Sequence, residues 1–334
     1  MDYVLQNLRQ LGFEPFSSIS RFFWVYCLSS FLIAACLYVT RQAKYEGFRL
    51  RRLIAFCFPG EIYRHPSAVV DYKLLLVNAV LSPATALFSV FSVTLMSAWV
   101  SDALTGAFGP ATAKAECAGW GMLAYSAGSM FVRELCIYVG HLLSHRVPVL
   151  WEFHKVHHSA EVLTPFTAER KHPVSILVLM GTAVVGLGAY QGVMVYAVFG
   201  TVALTTLFGV ELFLGLSLLA GTHLRHSHIP LGFGRRLSHV FMSPAQHRVH
   251  HSARAEHWNS NFGETLSIFD WMFGTLYIPN GQEHLTFGVD LAKQSHDGVL
   301  RAYAHPFAAA WRVLTGHFAH RGSRSPEPPG SYSR

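Results

Sequence analysis

Histidine is the residue type most able to do chemistry in this 334-residue chain, with 20 copies against 19 Asp and Glu together. Imidazole is the commonest side-chain ligand for transition metals. The stretch GHLLSH sets His141 and His145 four residues apart, on one face of a helix. In HKVHHS, His154 can converge with either of its neighbours while the adjacent pair His157 and His158 diverges toward two centres. QHRVHH repeats that spacing with His247, His250 and His251. A single HxxxH is more often a pair of interfacial polar residues than a ligand pair. Three clusters are different, because eight rings gathered on one membrane face repel one another if protonated and waste burial if unpaired, and metal removes both penalties. Eight nitrogens exceed the three or four that one zinc takes, which favours a dinuclear site.

The elements that must position these rings are membrane helices. The chain is 51% hydrophobic and only 13% charged, about half the charge of a soluble domain, with a mean hydropathy of +0.30. Its net charge of +7 sits between apolar runs instead of on one polar face, which argues against nucleic-acid binding. Candidate spans run from Phe22 to Thr40, Leu74 to Val100 and Gly119 to Leu143. A further apolar run from Val174 to Ala220 is too long for one span and reads as a hairpin turning near Tyr190, Gln191 and Gly192. The fold class expected is an all-α integral membrane bundle of about five spans, one pair forming the hairpin, with a helical cap carrying the metal site.

The Arg41–Lys73 loop holds seven Lys and Arg residues, whereas 101–118 holds one. The positive-inside rule then puts the N-terminus outside and both histidine-dense regions, 145–173 and everything after Gly221, on the cytosolic side. Residues 1–118 read as N-terminal spans and basic loop, 119–280 as the histidine-bearing unit, and 281–334 as a cytosolic segment whose Pro- and Ser-rich tail from Arg321 is expected to be disordered. The five cysteines lack CxxC spacing and read as buried thiols. GLGAYQG lacks the flanking strand of a dinucleotide site and reads as a close helix contact.

Imidazole alone does not choose between zinc and iron. A membrane-embedded site beside lipid favours iron, since oxygen chemistry on C–H bonds needs a redox metal.

From Glu134 the chain runs ELCIYVGHLLSHRVPVLWEFHKVHHS, and later RHSHIPLGFGRRLSHVFMSPAQHRVHHS and NSNFGETLSIFDWMFGTLYIP. Over roughly residues 132–279 this order of acidic residue, Tyr, HxxxH, Pro, Leu-Trp, HxxHH, closing HxxHH and Asp-to-Phe-Gly-Thr tail resembles the fatty acid hydroxylase and sterol desaturase superfamily of membrane di-iron oxygenases. The resemblance implies that His141, His145, His154, His157, His158, His247, His250 and His251 bind two iron ions that use O2 as co-substrate. His226, in the RHSHIP segment, is expected as a ninth ligand, and His172 as a further one, with the alternative that it is a satisfied histidine before a helix-starting proline. Glu134 stands where the family has Asp. Glu134 and Tyr138 share the helix face of the first pair and are expected either to orient the cluster through hydrogen bonds or, for Glu134, to pair with Arg133. Asn261 and Asp270 of the closing motif are expected to fold the cap around a turn, Asp270 capping it or bonding a ligand imidazole.

The expected activity is hydroxylation of a lipid C–H bond, on a fatty acyl, sterol, ether or amino-acid-headed lipid. Electrons would come from an external ferredoxin or cytochrome b5 type donor with its reductase, since no such motif is fused to the chain. A desaturase with the same metals is the nearest alternative. A metal transporter is the alternative from another class, but it should spread ionisable ligands along a path through the spans. The expected location is a bacterial inner membrane, or the ER membrane in a eukaryote.

Overall fold

The computed structural model describes residues 22–111, 115–207, 210–289 and 298–319, the side chains of 82–89 and 317–319 excepted. The tail from Arg321 lies outside the described residues. Helix α1 (Trp24–Tyr38) continues through a π turn at Val39–Ala43 and is followed by α2 (Leu50–Cys57). Helix α3 (Pro66–Phe108) has 43 residues, roughly 65 Å at 1.5 Å per residue. Pro66 starts it and the His65 side chain accepts a hydrogen bond from Ser67 N. Then come α4 (Trp120–Arg146), α5 (Pro148–His158), α6 (Pro173–Met194, extended by a π turn to Phe199), a two-stranded β1–β2 turn (Thr206–Leu207 with Val210–Glu211) and α7 (Leu212–Leu219). The closing region holds α8 (Pro244–His250) and α9 (Ile268–Phe273), and α10 (Val299–Ala319) packs on α5.

Three helices among the described residues are long and apolar enough to cross a membrane: Trp24–Glu46, Val90–Phe108 and Pro173–Phe199. The five-span expectation changes in two places. The run from Val174 is helical straight through Tyr190–Gly192, and the chain turns after Phe199. Its second arm is the eight-residue α7, about 12 Å long and too short to span hydrocarbon. Helix α4 occupies the expected third position but is not among the three, since it carries Arg133, Glu134 and two histidines. The closing region lies along it instead: Phe269 meets Phe131 with ring centroids 4.9 Å apart, and Phe273 stacks on Tyr138 at 5.4 Å.

Helix α6 is the spine of the membrane part, packed on α3 and α4. Its glycines let the backbones close up, as GLGAYQG suggested: a Cβ on Gly186 would fall 2.1 Å from Cys136 Sγ, and one on Gly188 2.5 Å from Met96 Cβ. All five cysteines are free, but only Cys57 is buried. Cys36 is exposed on α1, where apolar sequence marks a lipid-facing surface and not a protein interior.

One proline folds α5 back on α4. Pro148 cannot continue α4 because the residue before it must leave the α region, so Val147 is extended and Pro148 opens α5 at its first turn. The far end of α5 is pinned by Arg170, which is 2% exposed. Arg170 donates to Asp71 Oδ1 of α3 at 2.8 Å, to Val156 O at 3.0 Å and to Ser159 Oγ, while Thr167 Oγ1 donates to Asp71 Oδ2 at 2.6 Å. This fully bonded buried pair holds three segments at one point, and removing either partner leaves an uncompensated charge.

A Cβ on Gly192 would lie 2.7 Å from the Ser97 carbonyl oxygen, a backbone atom that cannot swing aside, whereas one on Gly181 meets nothing within 4 Å. Gly192→Ala is therefore expected to cost about 1–3 kcal/mol, read as a lower thermal midpoint in detergent, with Gly181→Ala on the same helix unchanged or slightly raised.

Candidate metal centre

Nine histidines converge in two adjoining groups. The first contains His141, His145, His154, His158 and His250, and the second His157, His226, His247 and His251, with one ring nitrogen of each residue within 4.8 Å of all the others in its group. The helical spacing explains the sorting. Each i, i+4 pair stays together, as His141 with His145, His154 with His158, and His247 with His251. The odd member of each HxxHH points the other way: His157 of α5 joins the second group and His250 of α8 joins the first. The α5 and α8 boxes thus each contribute to both groups and lock them to each other.

Seven of the nine are buried, and His145 and His226 are half-buried. Nitrogens face nitrogens: His141 Nε2 lies 3.1 Å from His154 Nε2, His145 Nε2 3.1 Å from His158 Nε2, and His226 Nε2 2.9 Å from His247 Nε2 and 3.3 Å from His157 Nε2. Such separations suit two imidazoles sharing one ion at bonds of about 2.1 Å. His250 Nε2 and His251 Nε2 are buried without a hydrogen-bond partner among the described residues, a cost that a metal ion would remove. The donor set therefore fits two metal ions, and five donors in one group exceed the four usual for zinc.

Burial holds His154, His157, His158, His247 and His250 well below the usual imidazole range, with the neighbouring rings adding to it. His251 is pushed down to about 3 by burial first and by His141 second. In these six rings burial thus favours the neutral form, the state in which imidazole binds metal.

The rings are aimed by bonds on their far nitrogens. His141 Nδ1 donates to Phe262 O at 2.7 Å and His250 Nδ1 to Ser260 O at 2.8 Å, while His154 Nδ1 meets Ser175 Oγ at 3.1 Å. The closing motif supplies those carbonyls. Asn261 sits at φ 58°, a left-handed conformation that Asn tolerates better than most residues. Its amide donates to Gln246 O and Tyr277 O and accepts from Tyr277 N. Asp270 accepts from Phe262 N at 2.7 Å, Gly263 N at 2.9 Å and Thr275 Oγ1 at 2.7 Å, and burial raises its carboxyl to about 6. A Cβ on Gly263 would strike Leu266 O at 2.2 Å. Asn261 and Asp270 thus hold the turn whose carbonyls orient His141 and His250.

Glu134 takes the Arg133 pairing, at 2.6 Å, and its other oxygen accepts from Thr265 N and Leu266 N. It clamps the closing loop to α4 instead of bonding an imidazole. Tyr138 meets Thr275 Oγ1 at 3.1 Å and acts on the same loop.

His172 departs from the expectation of a further ligand. It lies in neither group: its Nδ1 accepts from Val174 N as the cap of α6, and its Nε2 donates to Tyr303 O of α10 at 3.1 Å. Both nitrogens are engaged, so the satisfied histidine before Pro173 is the reading the geometry supports. His223 contacts Ser30 Oγ at 3.2 Å. Ser175 and the carbonyls of Ser260 and Phe262 carried no sequence signal, because a hydroxyl or a peptide oxygen is everywhere and only the fold selects one.

A cavity of about 370 Å³ opens on both groups through His141, His154, His157, His226 and His247. Its far wall is apolar side chains of α4 and α6, among them Ile137, Ile176, Leu179 and Leu187.

Residues 126–275 match the fatty acid hydroxylase family. Over 198 residues the chain is 28% identical to an ornithine lipid hydroxylase of Rhizobium tropici, covering 58% of this chain and 53% of that one. It is 24% identical over 185 residues to an alkylglycerol monooxygenase of Caenorhabditis elegans and 27% over 151 residues to one of Xenopus tropicalis, covering 55% and 45% of this chain and 32% and 29% of theirs. The chain thus spans about half or less of the length of these curated relatives. No solved structure matches it.

Replacing Asp270 with Ala strands two buried backbone N–H groups, at about 1–3 kcal/mol each, and frees the Phe262 carbonyl from its position. Asp270→Ala is expected to lower the thermal midpoint and to speed proteolysis within 260–280, as read by mass spectrometry of the fragments.

Proposed function

Because residues 126–275 carry a fatty acid hydroxylase domain, we propose that this chain is a membrane lipid hydroxylase whose nine clustered histidines hold two iron ions. The observation that carries the reading is the pair of all-histidine groups opening together on one cavity with an apolar wall. Lipid hydroxylation is what the names of the relatives describe, and a lipid C–H bond of an acyl, sterol, ether or amino-acid-headed lipid is the proposed target. His141, His145, His154, His158 and His250 would hold one iron, and His157, His226, His247 and His251 the other. Bound there, the irons would supply the redox chemistry by which one atom of O2 enters a C–H bond and the other leaves as water, with two electrons and two protons consumed.

The chain's own residues do the rest. Phe262 O, Ser260 O and Ser175 Oγ fix the ring directions, so that ligand geometry does not have to be organised during turnover. The Phe262 ring lies over His141, His145 and His250, at centroid distances of 5.6, 5.1 and 5.8 Å, and screens that group from water. The α4–α6 wall receives the chain of the lipid and holds it beside the metals, which is catalysis by positioning. Electrons are proposed to come from an acidic external carrier of ferredoxin or cytochrome b5 type with its reductase, meeting the basic surface of the chain. The N-terminus outside and the metal site in the cytosol, at a bacterial inner membrane or the ER, complete the proposal. A transporter would space its ligands along a path, whereas these form two adjoining groups under one cap.

Removing a ligand should cost more than the about 10–100-fold of a hydrogen-bond partner. His157→Ala and His250→Ala are expected to lose bound iron and lipid turnover while still inserting in the membrane. The assay is metal content plus lipid mass profiling under heavy-isotope dioxygen. One labelled oxygen in a lipid class supports the reading, loss of two hydrogens indicates a desaturase, and full activity in both variants rejects the ligand assignment.

A further inference from the structure

A second cavity, of about 890 Å³, shares no lining residue with the one beside the histidines. Its wall includes Arg41, Arg235, His239 and Trp271. Arg41 lies near the end of the helix Trp24–Glu46, which is long and apolar enough to cross a membrane, just past the apolar stretch, where basic side chains meet lipid headgroups. The rest of the wall is fixed to that end. Ala34 and Tyr38 of α1 form a buried cluster with Leu53 and Cys57 of α2 and with Leu224 and Ile229, and Leu231 packs against it. Pro230 and Gly232, on either side of Leu231, line the cavity.

The lining holds two guanidinium groups and no carboxylate. Neither Arg41 nor Arg235 makes an ion pair or a side-chain hydrogen bond among the described residues. The carboxylates that flank the lining segments in sequence are engaged elsewhere, Glu46 with Arg52 at 2.5 Å and Glu283 with His257 at 3.2 Å. His239 donates from Nδ1 to Arg235 O at 2.7 Å and meets the Trp271 ring edge-on at 5.7 Å, which joins the basic part of the wall to the aromatic part. The same segments expose Leu237, Phe241, Trp271, Met272 and Phe273, and α2 exposes Leu50 and Ile54 one turn apart. So much apolar surface is unfavourable against water and ordinary against acyl chains, with Trp and Arg at the headgroup boundary.

We propose that this cavity binds an anionic phospholipid of the surrounding leaflet, its phosphate held by Arg41 and Arg235 and its acyl chains lying over Trp271 and the exposed apolar side chains beside it. Guanidinium suits that headgroup because it presents paired donors to phosphate oxygens. Arg41 belongs to α1, and Arg235 and Trp271 to the closing region, so the lipid joins the first span to the part of the chain that orients His141 and His250. Such a site is independent of what the histidine groups hold.

The test uses the full-length protein in neutral detergent, with dioleoylphosphatidylglycerol, dioleoylphosphatidylcholine and inorganic phosphate as probes, and reads retained lipid by native mass spectrometry together with the thermal midpoint. Phosphatidylglycerol is expected to bind about tenfold more tightly than phosphatidylcholine and to raise the midpoint. Arg41→Gln and Arg235→Gln, both at exposed positions, should each weaken phosphatidylglycerol binding about fivefold, the share of one cation near an anionic surface. Arg312→Gln, which removes an exposed charge on α10, should leave it unchanged. Equal retention of the two lipids, or a loss in Arg312→Gln as large as in the other two variants, overturns the site. Inorganic phosphate that displaces phosphatidylglycerol at equal concentration overturns the lipid. An acidic ferredoxin whose binding is lost in Arg41→Gln and Arg235→Gln while lipid retention is undiminished gives the surface to a protein partner and overturns the proposal. Metal content is measured on the same preparations: lipid selectivity without iron supports this site while sinking the di-iron reading, and iron without lipid selectivity sinks this site alone.

Discussion

Nine imidazoles drawn out of water into two groups, with ring nitrogens within 4.8 Å of one another in each, are the constraint on which the rest of the structure depends. Hydrogen bonding among the rings cannot satisfy them, because several nitrogens point at the same small volume and His250 Nε2 and His251 Nε2 have no partner among the described residues. Protonation would add repulsion between rings already desolvated. Shared metal ions answer both problems, and the remaining architecture can be understood as what is needed to bring the rings together and keep each one pointing inward.

That work is divided between a proline, glycines and one loop. Pro148 turns α5 back on α4, and the buried Arg170–Asp71 pair fixes where α5 ends relative to α3. Close glycine contacts bring α6 against α3 and α4, which delivers Ser175 to His154. The loop from Ser260 to Thr275 then closes over the first group. It is tied to α4 by Glu134 and folded on itself by Asp270, and its two carbonyls orient His141 and His250. Glu134, Asn261 and Asp270 therefore act on the histidine groups through the backbone they hold.

Much of the site was legible in the sequence because helical periodicity is a strict rule over four residues. The spacing of HKVHHS requires that its adjacent histidines diverge, and the structure sends His157 and His158 to different groups. Periodicity says nothing about residues joined only by tertiary contacts, so His226 rested on resemblance, and Arg41 and Arg235 carried no signal that they share a cavity. His172 shows the complementary failure. Its residue type and its place before a proline fit both a ligand and a helix cap, and only the positions of Val174 and Tyr303 distinguish them. The long apolar run after Val174 was misread for a related reason: hydropathy measures what a segment can bury, and α7 is apolar but has too few residues to cross lipid.

The two groups differ in how they are assembled, and metal bound in them would be coupled to the fold unequally. Four of the five donors of the first group come from α4 and α5, adjacent helices joined at Pro148. The second group takes His157 from α5, His226 from the segment after α7, and His247 and His251 from the end of α8. Bringing three distant segments together costs more chain entropy than closing one tight turn, so a larger share of the binding free energy of an ion in the second group would go into docking them. Anything that binds the docked state and not the open one stabilises it by mass action. Because His250 of α8 completes the first group while His157 of α5 belongs to the second, metal in either group would favour the arrangement the other needs.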